Sequence, residues 1–251
     1  MRCYFGTHTT ETIQSMPVLM NYFIKGMFEL DVVSEDELGL NHPTGSRHYR
    51  SYVGSPKKYD IMAAHQFNLL TSLGLRENHT LLDIGCGSLR GGRLFITYLL
   101  PNKYFGIEPE EWLLQEGIRK NLGEEMLRIK SPKFSNEKEF KLGIFNQKFD
   151  YILAQSIFSH ATQKQILTCL SEAKKVMKDS SMFVGTFYLG DTNNTRTEWV
   201  YPGHGTYTKD FMTNAAEENG LCCKFLKYVH PNEQTWMIVT NPDNIQQVPD
   251  L

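Results

Sequence analysis

Asp83, Gly85 and Gly87 stand where a run of apolar residues gives way to a glycine-rich segment. Residues 81–92 read LLDIGCGSLRGG. Glycine has no Cβ atom, so the backbone at Gly85 and Gly87 can adopt unusual dihedral angles and come close to a ligand. The helix predicted to follow exposes unpaired N–H groups in its first turn. These features predict a site for a phosphate group or for the carboxylate of an amino-acid-like ligand.

A second carboxylate, Glu108, ends the predicted strand 104–108, about 20 residues after the glycines. A carboxylate at a strand end can accept two hydrogen bonds from a vicinal diol. The motif DIGCG at 83–87, together with YFGIEPEEW at 104–112 and FDYILAQSIFSH at 149–160, resembles the class I S-adenosylmethionine (SAM)-dependent methyltransferases. The similarity covers roughly residues 45–240 and is to a bacterial-type subgroup associated with small molecules and glycans.

The resemblance implies SAM as the methyl donor and S-adenosylhomocysteine (SAH) as the product. It also implies an α/β, Rossmann-like class I methyltransferase fold, with a mostly parallel seven-stranded sheet, a C-terminal antiparallel hairpin and an N-terminal helical cap. In such a fold Glu108 holds the ribose, and Arg90 reaches the cofactor carboxylate. Asn136 then meets adenine, and Tyr52 covers the methionine part. The residues predicted to bind the cofactor are Tyr52, Asp83, Gly85, Cys86, Gly87, Arg90, Glu108, Pro109, Asn136, Gln155 and Ser156.

The glycine pattern departs from the family at one position and leaves other readings open. The usual third glycine falls on Leu89, and we expect Gly91 and Gly92 to supply the close approach instead. A dinucleotide site would use G-x-G-x-x-G, whereas here three residues separate Gly87 from Gly91. The alternatives are therefore a dinucleotide oxidoreductase and a glycine turn with a purely structural role.

Alternating strands and helices are predicted along the rest of the chain. Strands are expected at 80–84, 104–108, 149–154 and 182–187, with a weaker third strand at 134–136. Helices are expected at 59–73, 89–100, 109–122, 162–177 and 208–219. Two further strands, 221–229 and 234–240, form a hairpin, so one of them must run antiparallel. The tail from Asn241 is expected to be loose.

Residues 1–58 are predicted to form a helical and loop cap before a methyltransferase domain at 59–251. Within this cap, 17–30 carries an apolar helical stripe that would pack on the core, on a partner subunit in a homodimer, or over the substrate as a lid. The net charge of −2 argues against a nucleic-acid surface, because phosphate binding needs clustered Lys and Arg. The five cysteines form no C-x-x-C pair, and no apolar run approaches the ~20 residues of a membrane span. A cytoplasmic protein without a metal or a membrane contact is expected.

Polar side chains follow the predicted strand 149–154, namely Gln155, Ser156 and His160. Ligands bind outside the carboxyl ends of parallel strands, so these side chains are expected at the reaction site. His160 is the first candidate for a general base, because histidine titrates near neutral pH. The alternative for His160 is a helix cap or a structural hydrogen bond. His204, in the long connection 190–207, is the second candidate base.

The predicted function is methyl transfer from SAM to a small polar acceptor, preferably at an oxygen. A sugar, a sugar nucleotide or a phosphorylated or carboxylated metabolite would fit. The sequence lacks the Pro-Pro-aromatic motif of amino-methylating nucleic-acid enzymes. Three alternatives stay open: an N-methyltransferase acting on a small molecule, a protein or RNA methyltransferase, and a non-catalytic SAM-binding partner subunit.

Overall fold

The computed structural model describes residues 34–251. Gly39–Leu251 form one compact unit, and a short helix, α1 (Glu35–Leu38), comes before it in the chain. The apolar stripe predicted at 17–30 lies outside the described residues. The separate cap over 1–58 stays a prediction.

A central sheet organises the compact unit. The strand bounds are β1 (Leu81–Ile84), β2 (Tyr104–Ile107), β3 (Lys133–Ser135), β4 (Phe149–Ala154), β5 (Met177–Leu189), β6 (Thr206–Tyr207), β7 (Cys222–Phe225) and β8 (Thr235–Thr240). The strand order is β3-β2-β1-β4-β5-β8-β7, and β6 pairs with the end of β5. The strands β1 to β5 are parallel, whereas β8 runs antiparallel to both β5 and β7. The Rossmann-like class I methyltransferase fold with a reversed C-terminal hairpin is therefore confirmed.

Apolar residues cover both faces of this sheet, which explains why its parallel strands read as nearly continuous hydrophobic runs. Successive side chains of a strand point to opposite faces. Leu82 accordingly packs in one buried cluster with Ile166 and Met212, whereas Leu81 packs in the other with Leu69 and Phe95. The helices that supply these residues and their neighbours are α2 (Tyr59–Ser72), α3 (Gly92–Tyr98), α4 (Glu111–Asn121), α5 (Gly123–Lys130), α6 (Gln163–Val176) and α7 (Lys209–Glu217).

Two helices differ from the sequence prediction. The helix after the glycines begins at Gly92 and not at 89, because the preceding residues form a turn with left-handed backbone at Gly87 and Leu89. The helix α5 was not predicted. It starts at Gly123, whose φ of +75° turns the chain directly into a new helix with exposed acidic and basic residues. The sequence analysis ended the preceding helix at 122, and this eight-residue helix buries none of its residues.

The tail predicted to be loose is ordered, so that prediction was wrong. A 3-10 helix spans Pro242–Gln247, and Val248 is almost fully buried. Lys224 Nζ donates to the carbonyl oxygen of Val248 at 2.6 Å, and the backbone N–H of Lys227 donates to that of Leu251 at 2.8 Å. These contacts hold the tail against β7.

The long connection 190–207 is also anchored. The backbone N–H of Val200 donates to the carbonyl of His160 at 3.1 Å, and that of Gly205 donates to Ser159 at 2.8 Å. These bonds join the connection to the loop that follows β4. The connection therefore lies at the carboxyl end of the sheet, where a site is expected in a parallel α/β fold.

Candidate active site

A cavity of about 560 Å³ opens at the carboxyl ends of β1, β2 and β4. Its volume lies in the range of small-molecule sites, roughly 300–1,000 Å³. The segments 44–54 and 188–204 supply further walls, and they meet where Pro202 lies beside Gly45. Among the predicted site residues, the cavity is lined by Tyr52, Asp83, Gly85, Cys86, Gly87, Arg90, Glu108, Pro109, Gln155, Ser156, His160 and His204.

Asn136 is not among the lining residues, although Glu137 and Phe140 from the same segment are. Its pairing with adenine stays a prediction. Arg50, in the wall segment 44–54, is not a lining residue either; it donates to the Tyr49 hydroxyl at 2.9 Å and pairs with Asp60.

The glycine loop has the left-handed backbone that its sequence suggested. Gly85 has a φ of +68° and Gly87 a φ of +57°. A Cβ at Gly87 would lie 2.7 Å from Val53 Cγ1, so only glycine fits there. Leu89 also adopts a left-handed conformation, with a φ of +59°, and its side chain is fully buried. This leucine stands where the family's usual third glycine falls, and its conformation is unfavourable for a side chain with a Cβ.

In a helix an alanine variant is usually more stable than a glycine variant, and at Leu89 we expect the opposite order of stability. Leu89→Ala should lower the free energy of unfolding by about 2–5 kcal/mol, because it opens a cavity in the core. Leu89→Gly should be more stable than Leu89→Ala by about 1 kcal/mol, because glycine tolerates the left-handed backbone. Urea unfolding measures both values.

Ile96 is the matched control, because it is equally buried but lies within α3. At this position the glycine variant should be less stable than the alanine variant by about 1 kcal/mol. If the alanine variant were the more stable one at both positions, the result would contradict a strained backbone at Leu89.

Asp83 is a buried carboxyl group at the end of β1. Its Oδ2 accepts a hydrogen bond from the Tyr104 hydroxyl at 2.7 Å. Burial raises the pKa of Asp83 to about 7, and the Tyr104 hydrogen bond only partly opposes this shift. Desolvation disfavours the charged form of a buried acid. The group therefore changes its charge near neutral pH.

Asp83→Asn should stabilise the protein increasingly as the pH rises from about 4 to about 7. The pKa of Asp83 in the folded state is about 7, above its ordinary value of 3.8. Stability from such a group is present below the unfolded pKa and is lost as the pH rises through the folded pKa. Asparagine has no such loss, so the difference in melting temperature should grow across this window and then level off.

Asp150→Asn is the control with the opposite sign. Burial raises the pKa of Asp150, but hydrogen bonds from Lys178 and Thr80 outweigh burial and leave this pKa below its ordinary value. Its replacement should therefore destabilise the protein at neutral pH. A pH-independent effect of Asp83→Asn would contradict the buried-charge account.

Glu108 lies at the end of β2 with part of its hydrogen-bonding capacity unused. Its Oε2 accepts from the backbone N–H of Gly87 and its Oε1 from that of Glu110, both at 2.9 Å. A carboxylate offers about four lone-pair sites, so each oxygen can accept a further bond. Burial raises the pKa of Glu108 to about 7, and the two backbone hydrogen bonds lower it less than burial raises it.

Arg90 reaches across the cavity from the turn before α3. Its Nη1 donates to the carbonyl of Val53 at 2.5 Å, and its Nη2 donates to Gln155 Oε1 at 2.6 Å. The third nitrogen, Nε, is buried and has no partner within residues 34–251. A buried donor without a partner costs free energy. The Nε–H group of Arg90 can therefore donate a hydrogen bond to an acceptor atom of a ligand.

Two glutamines that the sequence analysis missed complete a polar network around Gln155. Gln155 Oε1 accepts from Gln66 Nε2 at 2.7 Å, and Ser156 Oγ accepts from Gln234 Nε2 at 2.7 Å. Gln234 Oε1 is buried and unpartnered in the described part of the chain. Gln66 lies in α2 and Gln234 just before β8. No local pattern marks either residue, because only the packing of distant elements brings them together.

His160 lies in the loop between β4 and α6, and its ring is fixed by the long connection. Its Nδ1 lies 3.0 Å from the carbonyl oxygen of Val200 and 2.7 Å from that of Gly203. Carbonyls only accept, so Nδ1 carries the proton and Nε2 keeps its lone pair. Burial lowers the pKa of His160, against the effect of these two carbonyls. The imidazole is therefore neutral and oriented at neutral pH, as a general base requires.

His204 and three aromatic residues line the cavity beside His160. The rings of His204 and Tyr188 have centroids 4.4 Å apart, and the Tyr201 ring lies 5.0 Å from both His160 and Tyr52. Trp199 lies 5.6 Å from the His160 ring. The length of the connection 190–207 and its aromatic content were the sequence signals for this wall.

Within the described part of the chain, no three His, Cys, Asp or Glu side chains cluster as metal ligands. No helix among residues 34–251 has both the length and the apolar character needed to span a bilayer.

Comparisons with known proteins agree on the fold. No protein-family model matches the chain, and no curated protein matches it significantly. The solved structures similar to it include magnesium protoporphyrin IX methyltransferase (ChlM) from Synechocystis with bound SAH. The two chains are 13% identical, with a TM-score of 0.56 over 89% of this chain and 98% of that one. The likeness shows the fold.

Two other solved structures give similar values. The sugar N-methyltransferase KedS8 from Streptoalloteichus is 11% identical, with a TM-score of 0.56 over 76% of this chain and 91% of that one. A SAM-dependent methyltransferase from Clostridium acetobutylicum is 12% identical, with a TM-score of 0.54 over 73% and 92%. The chain therefore has the fold of the SAM-dependent methyltransferases.

Proposed function

We propose that this protein is a SAM-dependent methyltransferase that acts on a small polar acceptor, preferably at an oxygen. The observation that carries the proposal is one cavity lined by Glu108, by Arg90 with its unpartnered Nε, and by the oriented imidazole of His160. The fold supports it, since the similar ChlM was solved with SAM and with SAH.

The residues of the cavity fit SAM. Glu108 has free lone pairs for the two ribose hydroxyls, at the end of the second strand. Arg90 offers its Nε to the carboxylate of the amino-acid end, where a charge-assisted hydrogen bond is stronger than a neutral one. Pro109, Phe140 and Tyr52 line the cavity. In the proposed arrangement the first two would form an apolar wall for adenine, and Tyr52 would cover the methionine part.

In the proposed reaction, bound SAM supplies a methyl group on a sulfonium that an acceptor atom can attack in line. The main contribution of the chain is alignment, and positioning of two reactants can be worth roughly 7–11 kcal/mol. His160 Nε2 takes the proton of the acceptor hydroxyl, while the carbonyls of Val200 and Gly203 hold Nδ1–H. The Tyr52 and Tyr201 rings, whose centroids lie 5.0 Å apart, form an aromatic wall of this cavity.

The first experiment is calorimetry with SAM, followed by transfer of labelled methyl from SAM into a pooled cell extract separated by size. Label in the small polar fraction would support the proposal and provide a mass for the acceptor. Label in protein or RNA would overturn the substrate class. Binding of SAM without labelling would favour the non-catalytic partner subunit, and failure to bind SAM would overturn the proposal entirely.

A further inference from the structure

Four aromatic residues form one wall of the cavity around His160. We name Tyr188, Trp199, Tyr201 and His204 the aromatic rim; all four line the cavity. Trp199 is 41% exposed although it lies beside the His160 ring, so part of a large apolar surface remains uncovered at the cavity. Aromatic rings of this kind bind the flat faces of other rings.

The rim also contains a polar group that lacks a partner. The hydroxyl of Tyr201 is buried and makes no hydrogen bond to any described residue. Burial raises the pKa of Tyr201 to about 12, so the hydroxyl keeps its proton. A buried hydroxyl without a partner costs free energy, which a ligand oxygen beside His160 would remove.

The charges that line the cavity do not suit an anionic acceptor. The lining contains four carboxyl groups, Asp83, Glu108, Glu110 and Glu137, and two cations, Arg90 and Lys138. The guanidinium of Arg90 is bonded to Val53 and Gln155, and its unpartnered Nε is assigned above to the cofactor. Lys138 is exposed and belongs to the segment after β3, which is expected near adenine and not at the rim.

The nearby Arg196 donates to the carbonyl of His204 at 3.2 Å and is not a lining residue. None of the four rim residues is a lysine or an arginine. An anion placed against the rim would therefore be desolvated without a lysine or an arginine beside it, which is costly.

We infer that the aromatic rim binds an uncharged ring that carries a hydroxyl group, with the ring face on Trp199 and the hydroxyl between His160 and Tyr201. This inference rests on the proposed function and narrows its acceptor, because it excludes phosphorylated and carboxylated groups at the rim. A phenol and a pyranose share the required chemistry. The hydroxyl is the atom that gives its proton to His160 and receives the methyl group.

Phenol and phenyl phosphate are matched probes, because they share a ring and differ in charge. Saturation-transfer NMR on the full chain with saturating SAH should detect phenol binding and give at least a tenfold weaker dissociation constant for phenyl phosphate. Methyl β-glucoside in a third tube distinguishes a sugar from an aromatic acceptor. Equal or tighter binding of phenyl phosphate, or no binding of either neutral probe, would overturn the inference.

Variants of the rim locate the probe. Trp199→Ala should weaken binding of the neutral probe about tenfold, because it removes the stacking surface. Leu189→Ala is the control, since Leu189 is 50% exposed but does not line the cavity. An equal loss in both variants, or no loss in Trp199→Ala, would overturn the placement.

Tyr201→Phe tests the hydroxyl. It should weaken phenol binding about three- to tenfold and leave the binding of toluene, which has the same ring but no oxygen, unchanged. Equal loss for both probes would overturn the hydroxyl position. Calorimetry with SAH on the same samples distinguishes a failure of the proposed function from a failure of the rim assignment. If the wild type does not bind SAH, the proposed function is wrong. If it binds SAH but the probes do not show the expected affinities, only the role of the aromatic rim is wrong.

Discussion

Replacing His160 with alanine should lower turnover by about 10²–10⁴-fold, the usual contribution of a general base. The affinity for SAM should stay nearly unchanged, because His160 faces the acceptor side of the cavity in the proposed arrangement. Turnover is measured with the acceptor identified by methyl labelling, and SAM affinity by calorimetry. Wild-type turnover should also fall at low pH as Nε2 becomes protonated, with a midpoint below the ordinary histidine pKa because burial lowers the pKa of His160.

His160→Asn separates this role from a structural one. The asparagine amide can reproduce the donor at Nδ1 that holds the carbonyls of Val200 and Gly203. It has no basic nitrogen at the position of Nε2. If His160 is a base, the asparagine variant should be as inactive as the alanine variant. Near-normal activity in His160→Asn would show that the histidine only anchors the connection 190–207.

Glu108→Ala should weaken SAM binding by about 10- to 100-fold, which is the loss expected for hydrogen bonds to a charged group. The ribose hydroxyls would lose their acceptor, and the backbone N–H groups of Gly87 and Glu110 would lose theirs. Calorimetry at several pH values measures the effect. Wild-type affinity should fall as the pH drops through about 7, because the pKa of Glu108 is raised to about 7 and its protonated form accepts fewer hydrogen bonds.

Glu111→Ala is the matched control for Glu108. Glu111 is an exposed carboxylate in the first turn of α4, three residues along the chain, and does not line the cavity. Its removal changes the net charge equally but leaves the ribose acceptor intact, so SAM affinity should hardly change. Equal losses in the two variants would assign the effect to overall charge and would contradict the ribose contact.

Local patterns were sufficient to predict most of the sheet. Strand β1 and strand β4 are buried apolar runs at the predicted positions, and the reversed hairpin followed from a short connection that cannot cross the sheet. The helix α6 also begins as its sequence indicates, since Thr162 and Gln165 form a reciprocal capping box. These features depend on neighbouring residues, which is why the sequence reveals them.

Elements without a strong local pattern were harder to predict. Helix α5 is only eight residues long and has no buried residue, so the core does not require it. The tail after Asn241 looked loose because its order comes from Lys224 and Lys227 in a distant part of the chain. The backbone of Leu89 was unpredictable for a related reason, since a left-handed leucine persists only where surrounding packing compensates for its cost.

By itself, the sequence determined the class of fold, the glycine loop and the position of Glu108 at the end of the second strand, because these depend on residue type and short spacing. Only the tertiary structure decided which side chains share the cavity. It joins Gln66 and Gln234 to Gln155 and fixes the ring of His160 against Val200 and Gly203. These partners lie tens of residues apart in the chain, and only the packing of the sheet with its connections brings them within hydrogen-bonding distance.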